Sequence, residues 1–312
     1  MVKLSVSNKI QKIEKFFSSS ASVAYLLILP CLVVIFGIII WPILYSLYIS
    51  FHKMYMVYPG EFPFIGLKNY SDVLHNPTFW AALRHTFYFT GMSVGVEIIL
   101  GLGIALVLHQ DFRGRAFMRG LIILPWALSS VVNGMMWKWI YDGSYGALNG
   151  FLLQLGWIDS YKVWLADPRV AMNFVVMAEI WKETPVGVIF ILAFLQTIPS
   201  SLYEAAKVDG ASPWHRFRYI TLPLLKPIIL LLIVLKSVWA IRDSFDIVYM
   251  ITRGGPAEST QVVTFYAYLT TFKFLRFGYG AAISYLITLI ILVFAVVYMR
   301  LVYTETLYAE TI

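Results

Sequence analysis

Residues 16–52 of this chain contain no Lys, Arg, Asp or Glu, and this uncharged run constrains the fold more than any other feature. A helix needs about 20 apolar residues to cross the hydrocarbon core of a bilayer. The run therefore predicts a membrane-spanning helix from near Val23 to near Ile49. It is too long for a secretory signal peptide and no A-x-A cleavage pattern follows it, so we expect this helix to be retained.

Further apolar stretches of similar length follow along the chain, at 85–110, 120–140, 170–198, 226–250 and 277–299. Hydrophobic residues make up 60% of the chain and charged residues 13%, against about 45–50% and about 25% in typical soluble proteins. A water-soluble fold could not cover so much apolar surface with so few charges. The single Cys31 excludes a disulfide scaffold. The sequence thus predicts an all-α, polytopic integral membrane protein with six transmembrane helices.

Basic residues near the span ends predict the orientation. One set of segments holds 12 Lys and Arg, and the longer loops between them hold 8. Because basic residues favour the cytoplasmic side, we expect both termini in the cytoplasm. The predicted organisation is a cytoplasmic segment at 1–22, a six-span domain at 23–305 with a cytoplasmic loop at about 199–224, and a cytoplasmic tail at 306–312.

The formal net charge of +7 raises the possibility of nucleic-acid binding, since basic chains often bind phosphate backbones. The chain has no nucleic-acid module and no basic stripe interleaved with aromatic residues. The positive-inside bias of membrane proteins accounts for the same excess of charge. We therefore expect membrane lipid, and no nucleic acid, around this chain.

The sequence offers no catalytic or metal-binding constellation. A Walker A pattern is missing, and the five histidines show no H-E-x-x-H or Cys/His ligand spacing. The glycine pairs Gly91/Gly95 and Gly101/Gly103 lack the context of a dinucleotide loop, and they predict close helix packing instead. We expect no catalytic residue, no metal and no cofactor bound by this chain.

The most informative segment is the loop from Ser200 to Pro223. Ser201 and Glu204 fit a capping box, which predicts that a short helix starts there. Asp209 and Gly210 supply a turn, and Ser212 can cap a second helix whose first residue is Pro213. The prediction is a helix–turn–helix that stands out of the membrane, although an ordinary capped loop would have the same local signals.

This segment resembles the EAA loop of ABC importer permeases. It contains E-A-A-x-x-D-G-A from Glu204, then an aromatic residue, then I-x-L-P ending at Pro223. Two further stretches resemble the sugar-importer branch, with its maltose-type and glycerol-phosphate-type permeases: Ser244–Pro256, with T-x-G-G-P, and Phe272–Ala282, with F-G-Y-G. The resemblance covers about residues 20–305. The large extra periplasmic domain of the enterobacterial maltose permease is missing.

The resemblance implies a permease that moves a sugar or oligosaccharide inward across the cytoplasmic membrane of a prokaryote. Its expected partners are a second homologous permease, two ATPase subunits that bind ATP and Mg, and an extracytoplasmic solute-binding protein. In the family the EAA helix sits in a groove of the ATPase. The corresponding coupling residues here are Glu204, Ala205, Ala206, Asp209, Gly210 and Ala211.

Polar residues inside the fourth and fifth spans are candidates for the substrate path, because intramembrane charges usually face a partner or a wet cavity. In the maltose permease, sugar contacts come from the equivalent stretches. The candidates are Glu179, Trp181, Lys182, Glu183, Ser237, Trp239, Arg242, Asp243 and Ser244. Alternatively, Lys182, Glu183, Arg242 and Asp243 neutralise one another across the helix interface. Neutral sugars, acidic sugars and glycerol-phosphate-like solutes all remain open.

Two other classes of function compete with the importer. An ion-coupled secondary transporter that works without an ATPase could use Glu97, Glu179 and Glu183 as proton carriers. Six spans without internal inverted similarity, together with a full EAA loop, argue against it. A membrane-bound enzyme of lipid or glycan metabolism is disfavoured by the missing catalytic set.

Overall fold

The structure is a computed structural model that describes residues 20–310, except those at 59 and 61. The described residues form helices, turns and two isolated bridges, without a β-strand, so the all-α prediction is confirmed. The α-helices are α1 (Ser20–Val34), α2 (Trp41–Ser50), α3 (Lys68–Leu74), α4 (Pro77–His109), α5 (Arg115–Leu121), α6 (Leu124–Ala127), α7 (Ser130–Ile140), α8 (Ala147–Gln154), α9 (Ala171–Leu195), α10 (Ser200–Val208), α11 (Pro213–Arg216), α12 (Leu222–Ile251), α13 (Val263–Tyr268) and α14 (Phe277–Glu310).

Four long helical segments are apolar enough to cross a membrane on their own, and two bent helix pairs raise the number of possible spans to six. The four are Val23–Ser50, Pro77–His109, Pro213–Ile251 and Phe277–Arg300. They confirm the predicted first, second, fifth and sixth spans, although the second begins eight residues earlier than expected. Asn76 sets that start, because its side chain accepts a 2.9 Å hydrogen bond from the Thr78 amide.

The prediction of a single helix at 120–140 is wrong. Helices over Arg115–Ala127 and Ser130–Ile140 meet at an angle of 93°. Leu128 and Ser129 are extended, and the Ser129 hydroxyl accepts a hydrogen bond from the Val132 amide. A capping residue in the extended region starts a new helix in a new direction, and the hydrophobicity of the run gives no sign of that break.

The fourth span is α9, which ends at Leu195 and is followed by a bend of 70° into α10. It lies at the centre of the fold, packed against α4 and α12. Gly101 of α4 approaches the Gly187 backbone of α9 so closely that a Cβ atom would lie 3.4 Å from it. The packing prediction is therefore confirmed for Gly101. Gly91, Gly95 and Gly103 have open space beside them among the described residues, so this packing is not found for them within the described chain.

The first half of the first span, α1, is exposed, whereas the second half, α2, packs against α14. None of residues 23–48 is buried. The Tyr285 hydroxyl of α14 donates a hydrogen bond to the Ile43 carbonyl, which holds α2 against the bundle. A surface so apolar requires lipid or another apolar helix around it.

The two ends of the bundle are held differently. At one end, Asn76 donates hydrogen bonds of 3.1 Å to the Tyr266 and Tyr279 hydroxyls, so the starts of α4 and α14 meet α13. The F-G-Y-G stretch belongs to this end: a Cβ on Gly278 or Gly280 would collide with neighbouring atoms. At the other end, the last residues of α4 and α9 meet α10, α11 and the start of α12. We name that second end the coupling end.

Candidate functional site

The interior of the bundle holds a connected group of charged side chains from α4, α9 and α12. The Lys236 ammonium lies 2.9 Å from Glu97 Oε2 and 3.5 Å from Glu183 Oε2. It also donates a 2.8 Å hydrogen bond to the Glu183 main-chain carbonyl. The Lys182 ammonium pairs with Glu183 Oε1 at 2.5 Å. All four side chains are buried, and we name them the interior cluster.

The interior cluster lies between two apolar layers. On each of the three helices, buried apolar residues occur on both sides of the charged position. On α12, for example, Lys236 lies between Leu232 and Ala240. Lys236 is only 2% exposed, and removing charges from water at such a place is costly unless each is paired. The cluster therefore fixes how α4, α9 and α12 pack together.

Glu179 lies one turn before Glu183 on α9 and is also buried. It forms neither a hydrogen bond nor an ion pair of 4.0 Å or less with another residue of the described chain. Trp181, two residues later, is 37% exposed and packs edge-on against Trp137 of α7, with ring centroids 5.9 Å apart. This turn of α9 thus presents one carboxylate without a partner and one partly exposed indole.

Helix α7 contributes two further polar residues that the sequence analysis did not single out. Asn133 donates a 3.2 Å hydrogen bond to the Ala178 carbonyl, but its Oδ1 atom is buried without a partner among the described residues. The Trp137 indole nitrogen is buried and unpaired in the same way. Both face the turn of α9 that carries Glu179. Their position depends on the break before α7, which hydropathy does not reveal.

The α12 candidates fall into separate environments. Arg242 pairs with its neighbour Asp243 at 2.6 and 3.1 Å, and the Arg242 side chain is 69% exposed while Asp243 is nearly buried. The buried Ser244 hydroxyl bonds to the Ile241 carbonyl of its own helix. Ser237 is buried and faces an apolar cavity beside α4 and α14, whereas Trp239 is half-buried.

Direct ion pairs join Glu183 to Lys182 and to Lys236, and Lys236 to Glu97, whereas no direct ion pair among the described residues joins α9 to Arg242 or Asp243. Lys182 and Arg242 each pair with the next residue of their own helix. The alternative predicted that Lys182, Glu183, Arg242 and Asp243 neutralise one another across the helix interface. It is wrong, because each of the two ion pairs forms within a single helix. The contact across the interface comes from Lys236, which lies one heptad before Asp243 and whose partner Glu97 is remote in sequence.

The predicted helix–turn–helix at the coupling end is confirmed. Helix α10 has no buried residue, and it ends in a turn in which Gly210 has a φ of +78°. The Ala211 amide donates to the Ala206 carbonyl at 2.8 Å, and the Gly210 amide donates to the Lys207 carbonyl at 3.1 Å. This is the Schellman arrangement, in which a left-handed glycine closes a helix.

The second helix of this loop also starts as predicted. The Ser212 hydroxyl accepts a 3.3 Å hydrogen bond from the His215 amide, and Pro213 is the first residue of α11. The chain then runs through a π-helical turn into α12, so the loop is continuous with a span. The predicted capping box is wrong: α10 begins at Ser200, after Pro199, and Ser201 lies inside the helix.

The coupling candidates are presented on a short, exposed element. Glu204, Ala205, Asp209 and Gly210 are exposed, and Ala206 and Ala211 are partly covered. The described residues contain no group of three or more His, Cys, Asp or Glu side chains that could hold a metal ion.

The chain is similar to known membrane transport proteins. The model of the family "binding-protein-dependent transport system inner membrane component" matches residues 97–304, which include the interior cluster and the coupling loop. The trehalose/maltose transport system permease protein MalF of Thermococcus litoralis is 40% identical over 280 residues, covering 90% of this chain and 93% of that protein. The sulfoquinovosyl glycerol transport system permease protein SmoG of Agrobacterium fabrum is 36% identical over 282 residues, covering 90% and 91%.

Among solved structures, the chain resembles a bacterial ABC transporter involved in the import of the acidic polysaccharide alginate. The TM-score is 0.79 at 20% identity, and the match covers 95% of this chain and 99% of that one. At this level of identity the likeness shows a shared fold.

Proposed function

Because the chain belongs to the family of binding-protein-dependent transport system inner membrane components, we propose that it is the permease subunit of an ABC importer for a sugar or oligosaccharide. The protein is a multi-pass component of the inner membrane. The observation that carries the proposal is the exposed helix α10, which is closed by Gly210 and continuous with a span. Such an element suits a helix that docks on another protein and moves a membrane helix.

In this proposal α10 docks on a partner ATPase, and both termini lie on the same, cytoplasmic side. Glu204 is exposed and forms no ion pair with another described residue, so its carboxylate is available to a basic group of the partner. Two copies of this partner ATPase bind ATP and Mg and hydrolyse the ATP. This chain itself binds no cofactor and catalyses no reaction.

The remaining partners are a second permease and a solute-binding protein. The exposed first span requires an apolar neighbour, which lipid and a homologous second permease would both supply. One of the solved structures of similar fold is an alginate transporter in complex with a periplasmic protein that holds an alginate pentasaccharide. By analogy, a loaded binding protein delivers solute at the end opposite the coupling end.

The proposed solute site is the turn of α9 that carries Glu179 and Trp181, together with Asn133 and Trp137 of α7. An indole face suits the C–H surface of a sugar, and carboxylate or amide atoms suit its hydroxyl groups. Buried polar atoms without a partner are rare in folded proteins, and a ligand is one way to satisfy them. The unpaired Asn133 Oδ1 and Trp137 indole nitrogen fit this role.

The charges around this site favour a neutral, hydroxyl-rich solute. Lys182 and Arg242 are both neutralised by an adjacent carboxylate, so neither is left to bind an anion. The buried charged residues of α4, α9 and α12 include more carboxyl groups than basic groups: Glu97, Glu179, Glu183 and Asp243 against Lys182 and Lys236. A negatively charged sugar would be repelled by this excess.

Reconstitution tests the function. The chain, its second permease and the ATPase are placed in liposomes with the loaded binding protein, and sugar uptake is measured with ATP or with an imposed proton or sodium gradient. We expect uptake with ATP alone, and co-purification of the ATPase with this chain. Uptake driven by an ion gradient without the ATPase would overturn the proposal in favour of an ion-coupled transporter.

A substitution tests the solute site. Glu179→Gln removes a carboxylate that has no partner in the described chain, so we expect unchanged thermal stability and a half-saturating solute concentration raised about ten- to a hundredfold. Glu258→Gln, at an exposed position, is the matched control. If Glu179→Gln instead lowers stability and leaves the half-saturating concentration unchanged, Glu179 has only a structural role.

A further inference from the structure

A cavity of about 780 Å³ lies at the coupling end, between α10 and α11 on one side and the last turns of α4 and α9 on the other. It is separate from the solute site, which lies toward the middle of α9. Neither the transport mechanism nor the docking of α10 uses it.

The rim of this cavity carries basic groups and no carboxylate. His109, Lys207 and Arg216 line it, and no Asp or Glu does. Lys207 and Arg216 form no ion pair with another described residue. The Nε atom of Arg216 is buried without a hydrogen-bond partner among the described residues. Three basic residues therefore converge here without a counter-charge from the described residues that line the cavity.

The inner wall of the cavity is apolar and its edge is aromatic. Leu106 and Leu195 form part of the wall, and both belong to the spans. Trp214, which is 64% exposed, borders the cavity. Basic groups, an exposed indole and an apolar wall at the end of membrane spans match the headgroup level of a bilayer, where tryptophan is enriched and basic pockets bind lipid headgroups.

The cavity does not overlap the surface proposed for the ATPase. Tyr203 and Lys207 are four residues apart on α10 and face the cavity. Glu204 and Val208 follow them on the neighbouring face, and Val208 is 88% exposed. The Tyr203 hydroxyl bonds to Thr221 at 3.0 Å, which fixes this side of α10 toward the bundle. A ligand in the cavity would thus lie behind the docking helix.

We propose that this cavity binds an anionic phospholipid, with its phosphate between Lys207 and Arg216 and its glycerol and upper acyl region against the apolar wall. The lipid satisfies the unpaired Arg216 Nε and supplies the missing negative charge. Because α10 and α11 form one side of the cavity, the bound lipid stabilises the coupling loop in its observed position.

The test uses the full chain, purified in dodecyl maltoside, and measures its thermal unfolding midpoint. Dioleoyl phosphatidylglycerol, dioleoyl phosphatidylcholine and inorganic phosphate are added separately. A ligand that binds only the folded state raises the midpoint. We expect phosphatidylglycerol to raise it and the other two additions to leave it unchanged. An equal effect of phosphatidylcholine, or an effect of inorganic phosphate that prevents the response to lipid, would overturn the lipid assignment.

Two variants locate the site. Lys207→Gln and Arg216→Gln should each weaken the apparent affinity for phosphatidylglycerol about fivefold, which corresponds to about 1 kcal/mol for each basic residue lost. Arg218→Gln is the matched control, because Arg218 is exposed and does not line the cavity. Lys207 lies on an exposed helix, so its variant is expected to fold even if Arg216→Gln does not. An equal loss of affinity in Arg218→Gln, or none in Lys207→Gln, would show that the cavity is not the site.

Discussion

The interior cluster and the coupling loop are both polar regions of an apolar chain, and they use their polar groups in opposite ways. In the cluster, Lys236 forms ion pairs with Glu97 and Glu183, which belong to two other helices. In the loop, the main-chain hydrogen bonds of α10 and its turn are local, and Glu204 remains exposed. The charges of the cluster therefore stabilise the fold of this chain, whereas the charge of Glu204 in the loop is available to bind another protein.

This difference predicts how each region responds to substitution. A buried charge that loses its partner is left in a medium that solvates it poorly, so the cost appears in stability. An exposed charge is already solvated, and its loss costs the free chain little. Substitutions in the interior cluster should therefore reduce folded protein, while loop substitutions should leave the fold intact and reduce coupling.

The largest effect is expected for Lys236→Met. The variant keeps the volume of the side chain but leaves the Glu97 and Glu183 carboxylates without their shared cation. Breaking a buried ion pair from one side costs about 3–5 kcal/mol. We expect a large loss of monodisperse protein and a lowered unfolding midpoint in detergent.

The double variant Glu97→Gln with Lys236→Met is the control for that loss. The double variant lacks the Glu97 carboxylate, which Lys236→Met alone leaves buried without a cation, so the unfolding midpoint should recover in part. If Lys236→Met is as stable as the natural chain, the interior cluster does not hold the three helices together.

The next effect is expected at Gly210. Its φ of +78° is out of reach for proline, and its amide donates to the Lys207 carbonyl. A strained turn and a lost hydrogen bond together cost at least about 2 kcal/mol within the loop. We expect Gly210→Pro to abolish uptake while the spans stay folded. Gly210→Asn, which tolerates this conformation, should retain most uptake. Equal uptake in Gly210→Pro and the natural chain would mean that the turn does not transmit motion.

A smaller effect is expected for Glu204→Ala. The side chain is exposed, so the unfolding midpoint should not change. A hydrogen bond to a charged group contributes about 1.5 kcal/mol or more, and its loss should weaken association with the ATPase about tenfold or more. Binding of purified ATPase to the immobilised permease measures this, with Ser201→Ala on the same helix as control. An unchanged affinity would remove Glu204 from the interface.

The smallest effect is expected for Ser212→Ala. The Ser212 hydroxyl caps α11 by accepting from the His215 amide, and such a cap contributes about 1 kcal/mol. Hydrogen exchange at the amides of α11 should rise about fivefold, while exchange within α12 stays unchanged. Faster exchange throughout α12 would show that the cap stabilises more than its own helix.

The loop was predictable because its signals are local. Gly210 in the turn and Ser212 before Pro213 act through neighbours within a few residues, and the structure confirms both. The capping box at Ser201 failed because the N-cap is Pro199, two residues earlier, so that α10 already begins at Ser200.

The interior cluster was not predictable in the same way. The polar positions of α9 were identifiable, but their partners depend on which helices meet. Glu97 lies more than a hundred residues before Lys236, and no local pattern links the two. Asn133 and Trp137 were missed because they face α9 only after the break at Ser129, which interrupts an apolar run that looks continuous.

The measurement that tests this account most directly follows ATP turnover and sugar uptake together in proteoliposomes of the complete importer, for Glu179→Gln and Glu204→Ala side by side. The account predicts that Glu179→Gln keeps the maximal rate of ATP turnover and raises the half-saturating solute concentration. It predicts that Glu204→Ala lowers ATP turnover and uptake together without changing that concentration. If both variants change the same quantity, or if Glu204→Ala leaves both rates intact, the division between a solute-binding interior and a coupling loop is wrong.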